Sequence, residues 1–135
     1  MISRVTEAVS AAKALADPTR IRILVALRGR ELCVCELCDA LKVSQSTLST
    51  HLQVIRKAGF VRTRKVGKWI YYAPEPELEP FLDSFFSHFE AGLRSDSRLR
   101  RDVGRVTQRL AEREGDECCR GFEQSCRPPA RKVKR

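Results

Sequence analysis

Two apolar stripes separated by a short turn constrain the fold most. Val34, Leu37 and Leu41 recur three and four residues apart, and Leu48, Leu52 and Ile55 do the same further on. Val43-Ser44-Gln45-Ser46 lies between them, and Ser44 can cap the second helix through its hydroxyl. Apolar residues at this spacing bury one face of a helix, so the pattern predicts helices over 34–42 and from Gln45 to about Gly59. Helix, tight turn, helix is a helix-turn-helix.

The flanks extend this unit. Val5, Ala8, Val9, Ala12, Leu15 and Ala16 predict a first helix over 5–16. Asp17-Pro18 reads as an N-cap followed by proline at the first helical position, and Gly29 is a suitable terminator for that second helix. Downstream, Phe60-Val61-Arg62-Thr63-Arg64-Lys65 and Trp69-Ile70-Tyr71-Tyr72 are rich in β-branched and aromatic residues. Val66-Gly67-Lys68 between them suits a tight turn. The expected fold class is therefore mainly α with a small β-hairpin, a winged helix-turn-helix.

Leu78, Phe81, Leu82, Phe85, Phe86, Phe89 and Leu93 give the next helix an aromatic face. So small a domain has little core to absorb four phenylalanines, and a homodimer interface is expected there. Leu99, Val103, Val106 and Leu110 suggest one more helix in a highly charged segment, with Gly104 counting against it. The expected organisation is a DNA-binding and dimerisation domain over 1–93 and a charged, cysteine-containing extension over 94–135, partly helical and then disordered.

Charge points to the partner. The chain carries a formal net charge of +9. Between Ala40 and Pro74 the charged residues are Lys42, Arg56, Lys57, Arg62, Arg64, Lys65 and Lys68, with no Asp or Glu among them. Gln45, Ser46, Thr47, Ser49, Thr50 and Gln53 lie mostly off the apolar stripe of their helix, with His51 in the same stretch. Short hydroxyl and amide side chains approach base edges and phosphates closely. Arg56, Lys57, Arg62, Arg64, Lys65 and Lys68 can neutralise phosphates. Double-stranded operator DNA is the expected partner, read without a cofactor by a dimer on a two-fold site.

No apolar run approaches the roughly 18 residues that a membrane span needs, and the opening residues lack a signal-peptide core. The expectation is a cytoplasmic protein with reduced thiols. No phosphate-cradling loop, cofactor-binding glycine pattern or base-paired nucleophile argues for an enzyme.

Glu31-Leu32-Cys33-Val34-Cys35-Glu36-Leu37-Cys38 sets three thiols within six residues at the start of the third helix. Cys35 and Cys38 share a helix face, and Cys33 sits near the helix N-terminus, free to swing toward them. That end of a helix favours thiolate. Structural zinc usually takes four ligands, whereas trivalent arsenic or antimony takes three thiolates. Zinc, cadmium or lead with an added ligand, or a redox pair, remain open on spacing alone. Gathering Cys33 onto Cys35 and Cys38 would distort the start of this helix, which packs on the DNA-reading helix through Leu37 and Leu41.

On the eight-residue box above, on residues 15–24 around Asp17-Pro18, and on residues 44–52 with the Gly67-Lys68 hairpin, the chain resembles the arsenic-responsive repressors of the ArsR/SmtB family. The resemblance covers about residues 5–93. It implies a winged-helix homodimer in which As(III) or Sb(III) at Cys33, Cys35 and Cys38 acts as inducer and derepresses arsenic-resistance genes. Some members use a C-terminal vicinal cysteine pair plus a third cysteine instead. This chain also carries Cys118-Cys119 and Cys126, a possible second metalloid site.

Overall fold

The computed structural model describes residues 3–113. Helix α1 (Arg4–Leu15) starts at Ser3, whose hydroxyl accepts from Thr6 N. Helix α2 (Pro18–Leu27) starts at Asp17, whose carboxylate accepts from Thr19 N and Arg20 N. Strand β1 (Leu32–Cys33) runs directly into helix α3 (Val34–Leu41), and α4 (Gln45–Lys57) follows, capped by Ser44 through Thr47 N. Lys42 closes α3 in the left-handed conformation at φ 58°, its N–H donating to the Cys38 carbonyl. Gly59 takes φ 85° after α4, where a side-chain-free residue lets the chain reverse into the sheet.

The wing is a three-stranded antiparallel sheet. Strands β2 (Val61–Val66) and β3 (Trp69–Pro74) form the expected hairpin around Gly67, which takes φ 57°. β1 adds to the other side of β3, with Leu32 opposite Tyr72 and Cys33 opposite Tyr71. Sequence patterning gives only the hairpin, because two residues are too few to show alternation. The third strand joins the cysteine box to the wing by backbone pairing.

A 3-10 turn (Pro76–Leu78) leads into α5 (Glu79–His88), α6 (Glu90–Ser95) and α7 (Ser97–Ala111). The aromatic face is thus split at Phe89 rather than carried on one helix. Leu82 and Phe86 turn inward, while Phe81 and Phe89 are 47% and 50% exposed. Helix α7 is continuous through Gly104. A mid-helix glycine costs about 0.5–1 kcal/mol relative to alanine. Burial of Leu99 and Val106 outweighs that, at about 1.5–3 kcal/mol for each large apolar side chain.

One cluster forms the core. Leu37 and Leu41 of α3 meet Leu48, Leu52 and Ile55 of α4, with Leu27, Leu32, Phe60 and Tyr71 around them. Val106 of α7 lies in this same cluster, so the charged segment after residue 94 packs on the helix-turn-helix through α2 and α3. No helix among the described residues is long and apolar enough to cross a membrane.

Candidate nucleic-acid interface and thiol site

Helix α4 presents one polar face. Gln45, Ser46, Thr47, Ser49, Thr50, Gln53, Arg56 and Lys57 are all exposed. Thr50 Oγ1 donates back to the Ser46 carbonyl at 3.0 Å, and Ser44 Oγ donates to Thr47 Oγ1 at 3.0 Å. His51 is set apart from this face. Its Nδ1 lies 3.0 Å from Arg20 Nη1, and that guanidinium also donates to the carbonyls of Ala14 (3.1 Å) and Lys13 (2.7 Å). A guanidinium only donates, so Nδ1 is the acceptor nitrogen of this ring. His51 anchors α4 to the α1–α2 corner.

The wing bases divide in the same way. Arg62, Lys65 and Lys68 are exposed, with Lys68 Nζ 5.0 Å from the Trp69 ring centroid. Arg64 makes a two-pronged pair with Glu31 at 3.0 and 2.6 Å and lies over the Tyr71 ring at 5.1 Å. Its hydrogen bonds hold the Glu31 carboxyl below the usual carboxylate range. Arg64 therefore ties the wing to the residue just before β1.

At the thiol site, Cys33 is the N-cap of α3, and its N–H donates to Glu36 Oε1 at 2.9 Å. Cys33 Sγ and Cys35 Sγ are 2.8 Å apart, longer than a disulfide bond. Cys33, Cys35 and Cys38 are all buried. Among the described residues no three His, Cys, Asp or Glu side chains are already arranged around one metal position. Three thiols so close in sequence nonetheless suit a thiophilic ion, with Cys33 and Cys35 already paired. Cys118, Cys119 and Cys126 lie outside the described residues.

Sequence reasoning missed the groups that surround these thiols. Arg113 donates to both oxygens of Glu36 at 2.7 and 2.6 Å and to the Glu31 carbonyl at 2.7 Å. Arg109 pairs with Asp39 at 3.1 Å, and its Nη2 lies 3.9 Å from Cys35 Sγ. Arg105 donates to the Ala40 carbonyl at 2.6 Å. The available signal was three arginines four residues apart, two on α7 and one just past its end, later in the chain than acid-bearing α3.

Residues 17–63 match the family described as "Bacterial regulatory protein, arsR family". The chain is 47% identical over 73 residues to "Arsenic resistance transcriptional regulator ArsR1" of Pseudomonas putida, a match covering 53% of this chain and 57% of that protein. It is 46% identical over 67 residues to the "Arsenical resistance operon repressor" of Escherichia coli, covering 49% and 57%. These matches thus span little more than half the length of those relatives. The fold superposes on the structure of HlyU from Vibrio cholerae with a TM-score of 0.59 at 34% identity, covering 66% of this chain and 98% of that one. With this regulator covered almost end to end and the family pattern matched across α2 to β2, the chain belongs to the arsR family of bacterial regulatory proteins, a family of transcriptional regulators rather than enzymes.

Proposed function

We propose that this chain is a metalloid-responsive transcriptional repressor. It binds operator DNA as a homodimer and is released when Cys33, Cys35 and Cys38 take up As(III) or Sb(III), derepressing arsenic-resistance genes. One observation carries the reading. The cysteine box is the junction between β1, which pairs with the wing, and α3, which packs on α4. A change of shape at Cys33–Cys35 therefore strains both DNA-facing elements together. The relatives named for arsenic resistance support the choice of metalloid.

The exposed α4 face enters the major groove and the wing lies along the backbone. Val5 and Val9 on α1 and Phe81 and Phe89 on α5 and its end are exposed apolar residues. A second copy covers them, so the surfaces for DNA and for dimerisation fall within residues 1–93. The two recognition helices then sit about 34 Å apart, on an inverted repeat. Cys118, Cys119 and Cys126 act as an accessory thiol set.

The test titrates the complex with a duplex selected by this chain from a randomised pool, using As(III), Sb(III), Cd(II) and Zn(II), under reducing conditions. Release by As(III) and Sb(III) is expected. Release by Cd(II) or Zn(II) alone would move the site to divalent metals, and release only by oxidant would make it a redox switch.

The wing makes a separate prediction on the same duplex. Lys65→Ala and Lys68→Ala should each reduce the slope of log affinity against log salt by about 1, as loss of one phosphate contact does. Arg64→Ala should leave that slope near the unmodified value, because Glu31 already engages the guanidinium.

A further inference from the structure

We propose that Arg105, Arg109 and Arg113 form a ladder that holds α3 in its DNA-competent shape, and so sets how readily the thiols respond to an inducer. The proposal rests on the reading that Cys33, Cys35 and Cys38 receive that inducer. Arg105 and Arg109 lie four residues apart on one face of α7, about 6 Å along its axis, and Arg113 stands just past the helix end at Ala111. Their partners run the opposite way along α3. Arg105 holds the Ala40 carbonyl, Arg109 the Asp39 carboxylate, and Arg113 the Glu36 carboxylate and the Glu31 carbonyl.

The grip is tightest where the thiols are. Arg109 is 3% exposed and Glu36 1%. Arg109 Nη1 also reaches the Cys35 carbonyl at 3.5 Å. Glu36, held on two prongs by Arg113, is the same carboxylate that accepts from the Cys33 N–H. Arg113, Glu36 and the Cys33 backbone are thus one chain of bonds across the first turn of α3. Drawing the three sulfurs together must bend that turn and pull against Arg113. An interaction made in only one of two conformations opposes any ligand that prefers the other. By linkage, weakening the ladder makes thiol ligands bind more tightly and DNA more weakly. Helix α7 carries none of the proposed DNA-contacting residues, so its effect on DNA passes through the elements it packs on, α2 and α3.

The full chain is tested as Arg113→Gln, Arg105→Gln and Arg113→Lys. Arg98→Gln, at an exposed position of α7, and Leu99→Ala, a destabilised form with the ladder intact, serve as controls. Arsenite affinity is read from ultraviolet absorption on thiol binding, and α3 opening from amide hydrogen exchange. Arg113→Gln and Arg105→Gln should bind arsenite about 5- to 10-fold more tightly, within the usual range of coupling between sites. Their α3 amides should exchange faster than those of α1. Arg113→Lys, which keeps the charge and loses the two-pronged bond, should fall between. Both controls should keep the affinity of the unmodified chain, which loss of stability alone would also leave unmoved. Unchanged or weaker arsenite binding in the two glutamine variants overturns the ladder. An unmodified chain that takes up no arsenite removes the inducer reading instead. The exchange measurement then decides the ladder, and unchanged or uniformly faster exchange rejects it.

Discussion

Asp102→Ala is expected to lower the unfolding free energy by about 3–5 kcal/mol, a large share of the stability of a small domain. Asp102 is 1% exposed on α7. Arg22 of α2 donates to both its oxygens at 2.8 and 3.0 Å, and Arg105 donates a further bond at 3.0 Å. The Arg22 side chain is only 11% exposed, and its Nη2 also donates to the Leu41 carbonyl at the end of α3. Removing the carboxylate strands a desolvated guanidinium between three helices. A buried pair often adds little net stability over an apolar replacement, yet breaking one side of it is severe, because the remaining charge has lost both water and partner. Asp102→Asn keeps one acceptor oxygen and should lose less. Urea unfolding of the three proteins at neutral pH reads the difference directly. A loss below about 1 kcal/mol in the alanine variant would mean that Arg22 regains water and that α7 is not locked to α2 through this pair.

The elements that sequence patterning captured are those fixed by neighbours in the chain. Asp17-Pro18 and Ser44 announce helix starts because capping is local, and Gly59 and Gly67 mark reversals because few other residues take positive φ. The Leu48, Leu52 and Ile55 stripe is buried as its spacing requires. What patterning could not supply is non-local. Arg22 and Asp102 are eighty residues apart, and on their own helices each looks like an ordinary solvated charge. The same holds for Arg113 with Glu36 and for Arg64 with Glu31. His51 reads in sequence like a member of the base-reading face, yet Arg20 draws it to the α1–α2 corner. The cysteine spacing was legible at once. The pairing of its first residue with Tyr71 of the wing was not, since it depends on a two-residue strand meeting a segment almost forty residues later.

That pairing sharpens the second expectation. With Cys33, Cys35 and Cys38 all replaced by Ser, the chain should still bind its operator and should no longer leave it when arsenite is added. The sulfurs are buried, and a hydroxyl costs more than a thiol to take out of water, so the triple variant should melt at a lower temperature. The matching triple Ala variant avoids the hydroxyls and separates loss of response from loss of fold. The size of the effect follows from the populations. Moving a complex from almost fully bound to almost fully free needs a ligand that prefers the released form by about 5.5 kcal/mol, roughly ten-thousand-fold. Removing the ligand's donors removes that whole preference, where an arginine of α7 can only shift it. Cys118, Cys119 and Cys126 replaced by Ser should leave release intact, with at most a change in how fast it develops, because an accessory set can deliver an ion without itself bending α3. Full release from the Cys33/Cys35/Cys38 variant would transfer the inducer site to the second cysteine set. The strain would then have to reach α4 by a route other than β1 and the first turn of α3.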